Sequence, residues 1–168
     1  DLLRDPKLAT VYAPYTTSVF LIGWAVGGFI FGALGDRFGR ARILTFTILL
    51  YSLSTGLSAF ATSFFDFCLY RFVTGLGVGG VFGLAVALVA DSVPDRARPP
   101  ALGMLQSIST WGNVAAGFVG MGLGALAVLP FGLKHWQAMF LAGALPALLC
   151  VVVLRRLKEP EKWARSRD

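Results

Sequence analysis

What most constrains this chain is an apolar run, long enough to cross a bilayer, that recurs five times with short polar breaks. The runs cover about 15–34, 43–61, 67–90, 102–129 and 136–154, the fourth with polar interruptions. A helix crosses a hydrocarbon core with about 20 apolar residues. Lipid offers backbone N–H and C=O groups no partners, and the runs lack the apolar–polar alternation of barrel strands, so each is expected to be a helix. The expected fold class is all-α, a multi-pass bundle of transmembrane helices. Composition agrees, with 56% hydrophobic residues and a mean hydropathy of +0.71, above the range of ordinary soluble domains.

A formal charge of +6 would suit a nucleic-acid partner if the basic residues formed one face of a soluble fold. They sit on alternate loops instead. Arg37, Arg40 and Arg42 follow the first run, Arg96 and Arg98 the third, and Arg155, Arg156, Lys158, Lys162, Arg165 and Arg167 the fifth. The other side carries Arg4, Lys7 and Lys134. The positive-inside rule makes the richer side cytoplasmic, so the chain is expected to start outside and end inside a cell membrane, cytoplasmic or inner. The expected partner is the lipid bilayer, and no nucleic acid.

Residues 75–80 read GLGVGG and satisfy G-x-G-x-x-G. A dinucleotide turn needs a strand before the glycines and an acid about 20 residues beyond them. Asp95 meets that count but lies in a proline-rich loop, and the glycines fall inside an apolar run of membrane length. They are expected to pack helices. Gly23 with Gly27, Gly28 with Gly32, and Gly75, Gly79 and Gly83 recur every four residues, as close helix contact requires, and Gly77 lies in the same stretch. Cys68 and Cys150 fall in different runs and at different depths, so no disulfide is expected. No cofactor, metal site or enzymatic activity is expected. Asp1 is not a methionine and no signal-peptide pattern precedes the first run, so the chain is expected to be a fragment.

Arg71 lies roughly 6 Å inside the end of the third run at about 1.5 Å per residue. A charge at that depth either snorkels to headgroups, with Asp66 near, or serves a function. Gln106, Thr110 and Asn113, at offsets of four and three, share one helical face. That face either lines a pathway or makes interhelical hydrogen bonds. Trp111 and Trp136 suit packing or interface anchoring.

Residues 32–42, GALGDRFGRAR, resemble the signature loop of the major facilitator superfamily, G-x-x-x-D-R-x-G-R-x-R. Gly32, Asp36, Arg37, Gly39, Arg40 and Arg42 occupy the matching positions, and Ala41 stands where a second basic residue is common. RFVTGLGVGG resembles the family's R-x-x-x-G-x-G-x-G helix, on Arg71, Gly75, Gly77 and Gly79. ADSVPDRARPPALG is similar to the loop after it, on Asp91, Pro94, Arg98 and Gly103, with aspartate where glutamate is usual. WQAMFLAGALPALL and LKEPEKW resemble the sixth helix and its exit, with Gln137 where arginine is common.

The resemblance implies that the runs are helices two to six of the N-terminal six-helix half. The first helix and the C-terminal half would then be missing partners, and these five helices alone are not expected to transport. It implies alternating access, with two halves rocking about a central site for a small-molecule solute. Asp36 would pair with Arg40 or Arg42, or meet a helix N-terminus of the other half, as a conformational latch on the cytoplasmic loop. Arg71 would meet a titrating carboxylate or an anionic solute. No run interior holds Asp or Glu. The family's antiporter glycine-proline pair is missing from GNVAAGFVGMG, which tilts the expectation to symport or facilitated uptake of a sugar, sugar acid or carboxylate. The alternative is a non-transporting scaffold or sensor on the same fold.

Overall fold

The computed structural model describes residues 6–125 and 134–145, with side chains described from residue 11. Five α-helices follow in chain order: α1 (Pro6–Phe38), α2 (Arg40–Ser58), α3 (Phe64–Ser92), α4 (Arg98–Ala125) and α5 (His135–Ala142). A single 3-10 turn, Asp95–Ala97, separates α3 from α4, and no strand occurs among the described residues. Part of the fourth run, much of the fifth, and Cys150 lie outside those residues. Cys68 is in no disulfide.

Helix ends here follow backbone chemistry rather than the limits of the apolar runs. α1 continues past its run through Asp36 and Arg37 and stops at Gly39, which is buried with a φ of 106°. That left-handed conformation suits glycine and strains any residue with a Cβ. The Gly39 N–H donates to Gly35 O at 3.0 Å while its carbonyl accepts from Ile43 N–H at 3.1 Å. One residue thus closes α1 and opens α2, which leaves no room for a looser loop.

α3 begins at a capping box. Ser63 Oγ accepts from the Asp66 N–H at 3.1 Å, and Asp66 Oδ2 accepts from the Ser63 N–H at 3.1 Å and from Thr62 Oγ1 at 2.9 Å. These bonds satisfy N–H groups that have no intrahelical partner. Ser63→Ala is expected to cost about 1 kcal/mol of stability. A thermal melt of the detergent-solubilised protein should register it, and an unchanged midpoint would count against the cap.

α3 is the central element because its glycines open two opposite sides. A Cβ on Gly75 would run into Phe20 O and one on Gly79 into Trp24 O, with Gly28 N at 2.8 Å, so α1 and α3 touch backbone to backbone. Gly77 sits about 200° around the helix from Gly75. Its Cβ would stand 2.7 Å from Tyr51 N and 2.9 Å from Thr47 O, which brings α2 equally close. The stripe then loosens: Gly83 finds Gly28 O at 3.9 Å, and Gly32 nothing within 4 Å. Below it a small apolar cluster of Phe31, Leu44 and Leu84 closes the three-helix contact.

All but one of the buried hydroxyls among the described residues are satisfied within their own helices. Thr45 bonds Ala41 O, Thr47 bonds Leu44 O, Ser58 bonds Ser54 O and Thr74 bonds Tyr70 O, at 2.7–2.9 Å. Small polar residues can therefore line tight contacts at little desolvation cost. Ser52 Oγ is buried without a hydrogen-bond partner.

Large apolar side chains face outward, Phe29 at 82% and Trp111 at 72% exposure among them. Such a surface suits lipid rather than water. Among the described residues three helices are long and apolar enough to cross a membrane: Val11–Phe38, Arg40–Ser58 and Phe64–Ser92. α4 has 28 residues but carries Gln106, Ser107, Ser109, Thr110 and Asn113 along its middle.

Candidate functional site

Arg40, in the first turn of α2, gathers the ends of three helices. Its Nε and Nη2 donate to Asp36 Oδ1 at 3.1 and 2.9 Å, joining α2 to the last turns of α1. Its Nη1 donates to Asp91 Oδ2 and, at 3.2 Å, to Ala87 O, both in the last turns of α3. A guanidinium suits this because its donors fan out in one plane and reach several acceptors at once. The side chains of Arg40 and Asp91 are 19% and 25% exposed, whereas Asp36 is 67% exposed, so the link to α3 is the less hydrated of the two.

Beside this node, Arg98 Nε donates to Ala90 O at 2.9 Å and its Nη2 pairs with Asp95 at 2.9 Å. The first bond satisfies a carbonyl at the α3 C-terminus, and the second ties down the 3-10 turn that Pro94 precedes. Arg37 is exposed with its guanidinium 5.4 Å from the Phe38 ring, and Arg42 is exposed on the first turn of α2.

Arg71 lies on the second turn of α3 in an aromatic setting. Its guanidinium carbon sits 4.5 Å from the ring centre of Phe20 on α1 and 5.9 Å from that of Phe140 on α5. Phe140 is held edge-on by Phe67 and Trp136, at 5.6 and 6.2 Å between ring centres. Asp66 does not compensate this charge, because its carboxylate is spent on the α3 cap. Among the described residues no carboxylate pairs with Arg71.

A cavity of about 420 Å³ opens where α4 faces α1 and α3. Its polar wall is Gln106, Ser109 and Asn113, and its apolar wall includes Trp24, Val78 and Phe82. Thr110 is not part of it. Thr110 lines a separate, shallower recess with Ser107, Trp111 and Val114, and its hydroxyl bonds back to Gln106 O at 3.0 Å. The offset of seven between Gln106 and Asn113 repeats a helical face more closely than the four that separates Gln106 from Thr110.

The sequence matches the Major Facilitator Superfamily profile over residues 9–167. The chain belongs to the Major Facilitator Superfamily. It is similar to a putative metabolite transport protein of Haemophilus influenzae, 42% identical over 148 residues, covering 87% of this chain and 34% of that protein. It is also 35% identical over 159 residues to the niacin transporter NiaP of Acinetobacter baylyi, covering 94% of this chain and 34% of that one. Among solved structures, the proton:xylose symporter XylE bound to 6-bromo-6-deoxy-D-glucose superposes with a TM-score of 0.84 at 23% identity, over 99% of this chain and 39% of that one. The last likeness is one of fold.

This superfamily chain therefore spans about a third of the length of the curated relatives it matches. It carries the helical arrangement of part of one half of the fold. The Arg40–Asp91 link escaped the sequence reading because the two residues are 51 apart and no spacing rule joins them. Phe20 and Phe140 escaped it for the same reason. The α3 cap was visible in principle, as serine followed three residues later by aspartate ahead of an apolar run.

Proposed function

We propose that the whole protein transports a small organic acid across a cell membrane by alternating access, and that Arg71 is the charge the acid meets. The observation that carries this reading is the setting of Arg71, a half-buried guanidinium whose carbon lies 4.5 Å and 5.9 Å from two phenylalanine ring centres, with no carboxylate partner among the described residues. An arginine at membrane depth is costly unless something anionic compensates it. The niacin transporter among the relatives supports the choice of an acid over a sugar, because niacin is a carboxylate at neutral pH.

In this reading the Arg40 end, with its basic loops, faces the cytoplasm. Asp36, Arg40 and Asp91 tie the inner ends of α1, α2 and α3 into one rigid body, and Gly32, Arg37 and Arg42 present the loop to the rest of the transporter. Gln106 and Asn113 line the pathway opposite Trp24. The remaining helices of the full-length protein enclose the other side of the solute, and proton symport is the coupling proposed.

The test is uptake of labelled niacin and benzoate by proteoliposomes holding the full-length protein. Arg71→Ala is expected to reduce uptake at least about thirtyfold, equivalent to losing one charge-assisted hydrogen-bonded pair. Arg71→Lys should restore only part of it, because a point charge replaces a fork. Uptake that survives Arg71→Ala in a monodisperse protein would remove Arg71 from the site. A well-folded wild type with no flux of any acid would instead suit a scaffold or sensor.

A further inference from the structure

The α5 helix has a feature that the transport reading does not use. Gln137 makes two hydrogen bonds in opposite senses: its Nε2 donates to Ala59 O, at the C-cap of α2, at 2.9 Å, and its Oε1 accepts from the Lys134 N–H at 3.0 Å. An amide does both, because it carries a donor and an acceptor. The first bond moors α5 to α2, and the second caps the first turn of α5. One turn further, Phe140 stands over the guanidinium of Arg71 and is braced by Phe67 and Trp136.

We infer that Phe140, moored through Gln137, is a positioning residue that clamps the Arg71 guanidinium against Phe20 and so sets the affinity and charge selectivity of the site for carboxylate solutes. This rests on Arg71 being the charge that the solute meets. Phenylalanine rings packed beside a guanidinium offer it no hydrogen-bond acceptor, so its N–H groups remain for a carboxylate, which binds with two parallel hydrogen bonds. They also shield part of the group from water, which strengthens the ion pair, and they hold it in place so that less freedom is lost on binding. The clamp draws on α1, α3 and α5, so it forms only once the bundle has packed.

The experiment measures niacin and nicotinamide uptake by the full-length protein in proteoliposomes, the second solute being the uncharged counterpart of the first. Phe140→Leu is expected to raise KM for niacin about tenfold with Vmax within about twofold, and Phe140→Tyr to restore it. Gln137→Leu, which removes both hydrogen bonds, should move KM in the same direction by a smaller factor. The ratio of niacin to nicotinamide uptake should fall in both. A role in packing alone would lower Vmax and thermal stability while leaving KM and that ratio unchanged, and such a result would overturn the clamp.

The control separates the two readings. If Arg71→Ala abolishes niacin uptake while Phe140→Leu leaves KM unchanged, the clamp fails and the transport reading stands. If the wild type takes up neither niacin nor benzoate, both fail together.

Discussion

Replacing Gly79 with alanine is expected to destabilise the protein by about 3 kcal/mol, the upper range for overpacking a tight contact. The added methyl would enter the space of Trp24 O, with Gly28 N and Trp24 Cδ1 each 2.8 Å away. Two of those three atoms are backbone, so no rotamer change relieves the overlap and α1 and α3 must separate. In a bilayer that contact has no hydrophobic drive to fall back on, since lipid tails are as apolar as the side chains; close packing is what holds the pair.

Gly83→Ala is the matched control on the same helix, four residues on. Its Cβ would lie 3.9 Å from Gly28 O, ordinary contact distance. Alanine there should be neutral or stabilising by up to about 1 kcal/mol, because it lowers the entropy cost of a helical glycine. Thermal melts of the two variants in detergent should therefore move in opposite directions or differ widely. Equal shifts would mean that the α1–α3 contact is looser than these distances require.

Removing the Arg40 side chain is the second large effect. Arg40→Ala leaves Asp91 facing the carbonyl-rich end of α3 without its cation and removes the Arg40–Asp36 ion pair between α2 and α1. The expected cost is about 2–3 kcal/mol, below the value for a fully buried pair because some water reaches both side chains. Lysine should recover less than half, since it replaces a planar fork with a single point charge.

The two carboxylates should not contribute equally. Asp91 is 25% exposed and Asp36 67% exposed, so Asp91→Asn is expected to cost more than Asp36→Asn. Added salt should weaken the Asp36 contribution first. A melt series of the two variants at low and high ionic strength measures this. If Asp36→Asn proved the more costly, the link between α2 and α3 would not be the principal tie at this end.

The class of structure and several local features follow from the order of residues alone. Apolar runs of membrane length require backbone groups to be satisfied within helices, and glycine at position 39 supplies the left-handed residue that a one-residue corner between helices demands. Glycines every fourth residue permit a close neighbour without requiring one, as Gly32 shows, and the signature residues mark the loop. Periodicity and composition suffice for these because each concerns a residue and its near neighbours in the chain.

Helix packing settles who meets whom. It turned Gly75 and Gly79 toward α1 but Gly77 toward α2, paired Arg40 with Asp91, spent Asp66 on a cap rather than on Arg71, and set Phe20 and Phe140 around that arginine. It also placed Gln106 and Asn113 in one cavity and Thr110 outside it. Each outcome depends on the rotation of one helix against another. That rotation is set by the summed fit of whole helix faces, a quantity that no single stretch of sequence contains.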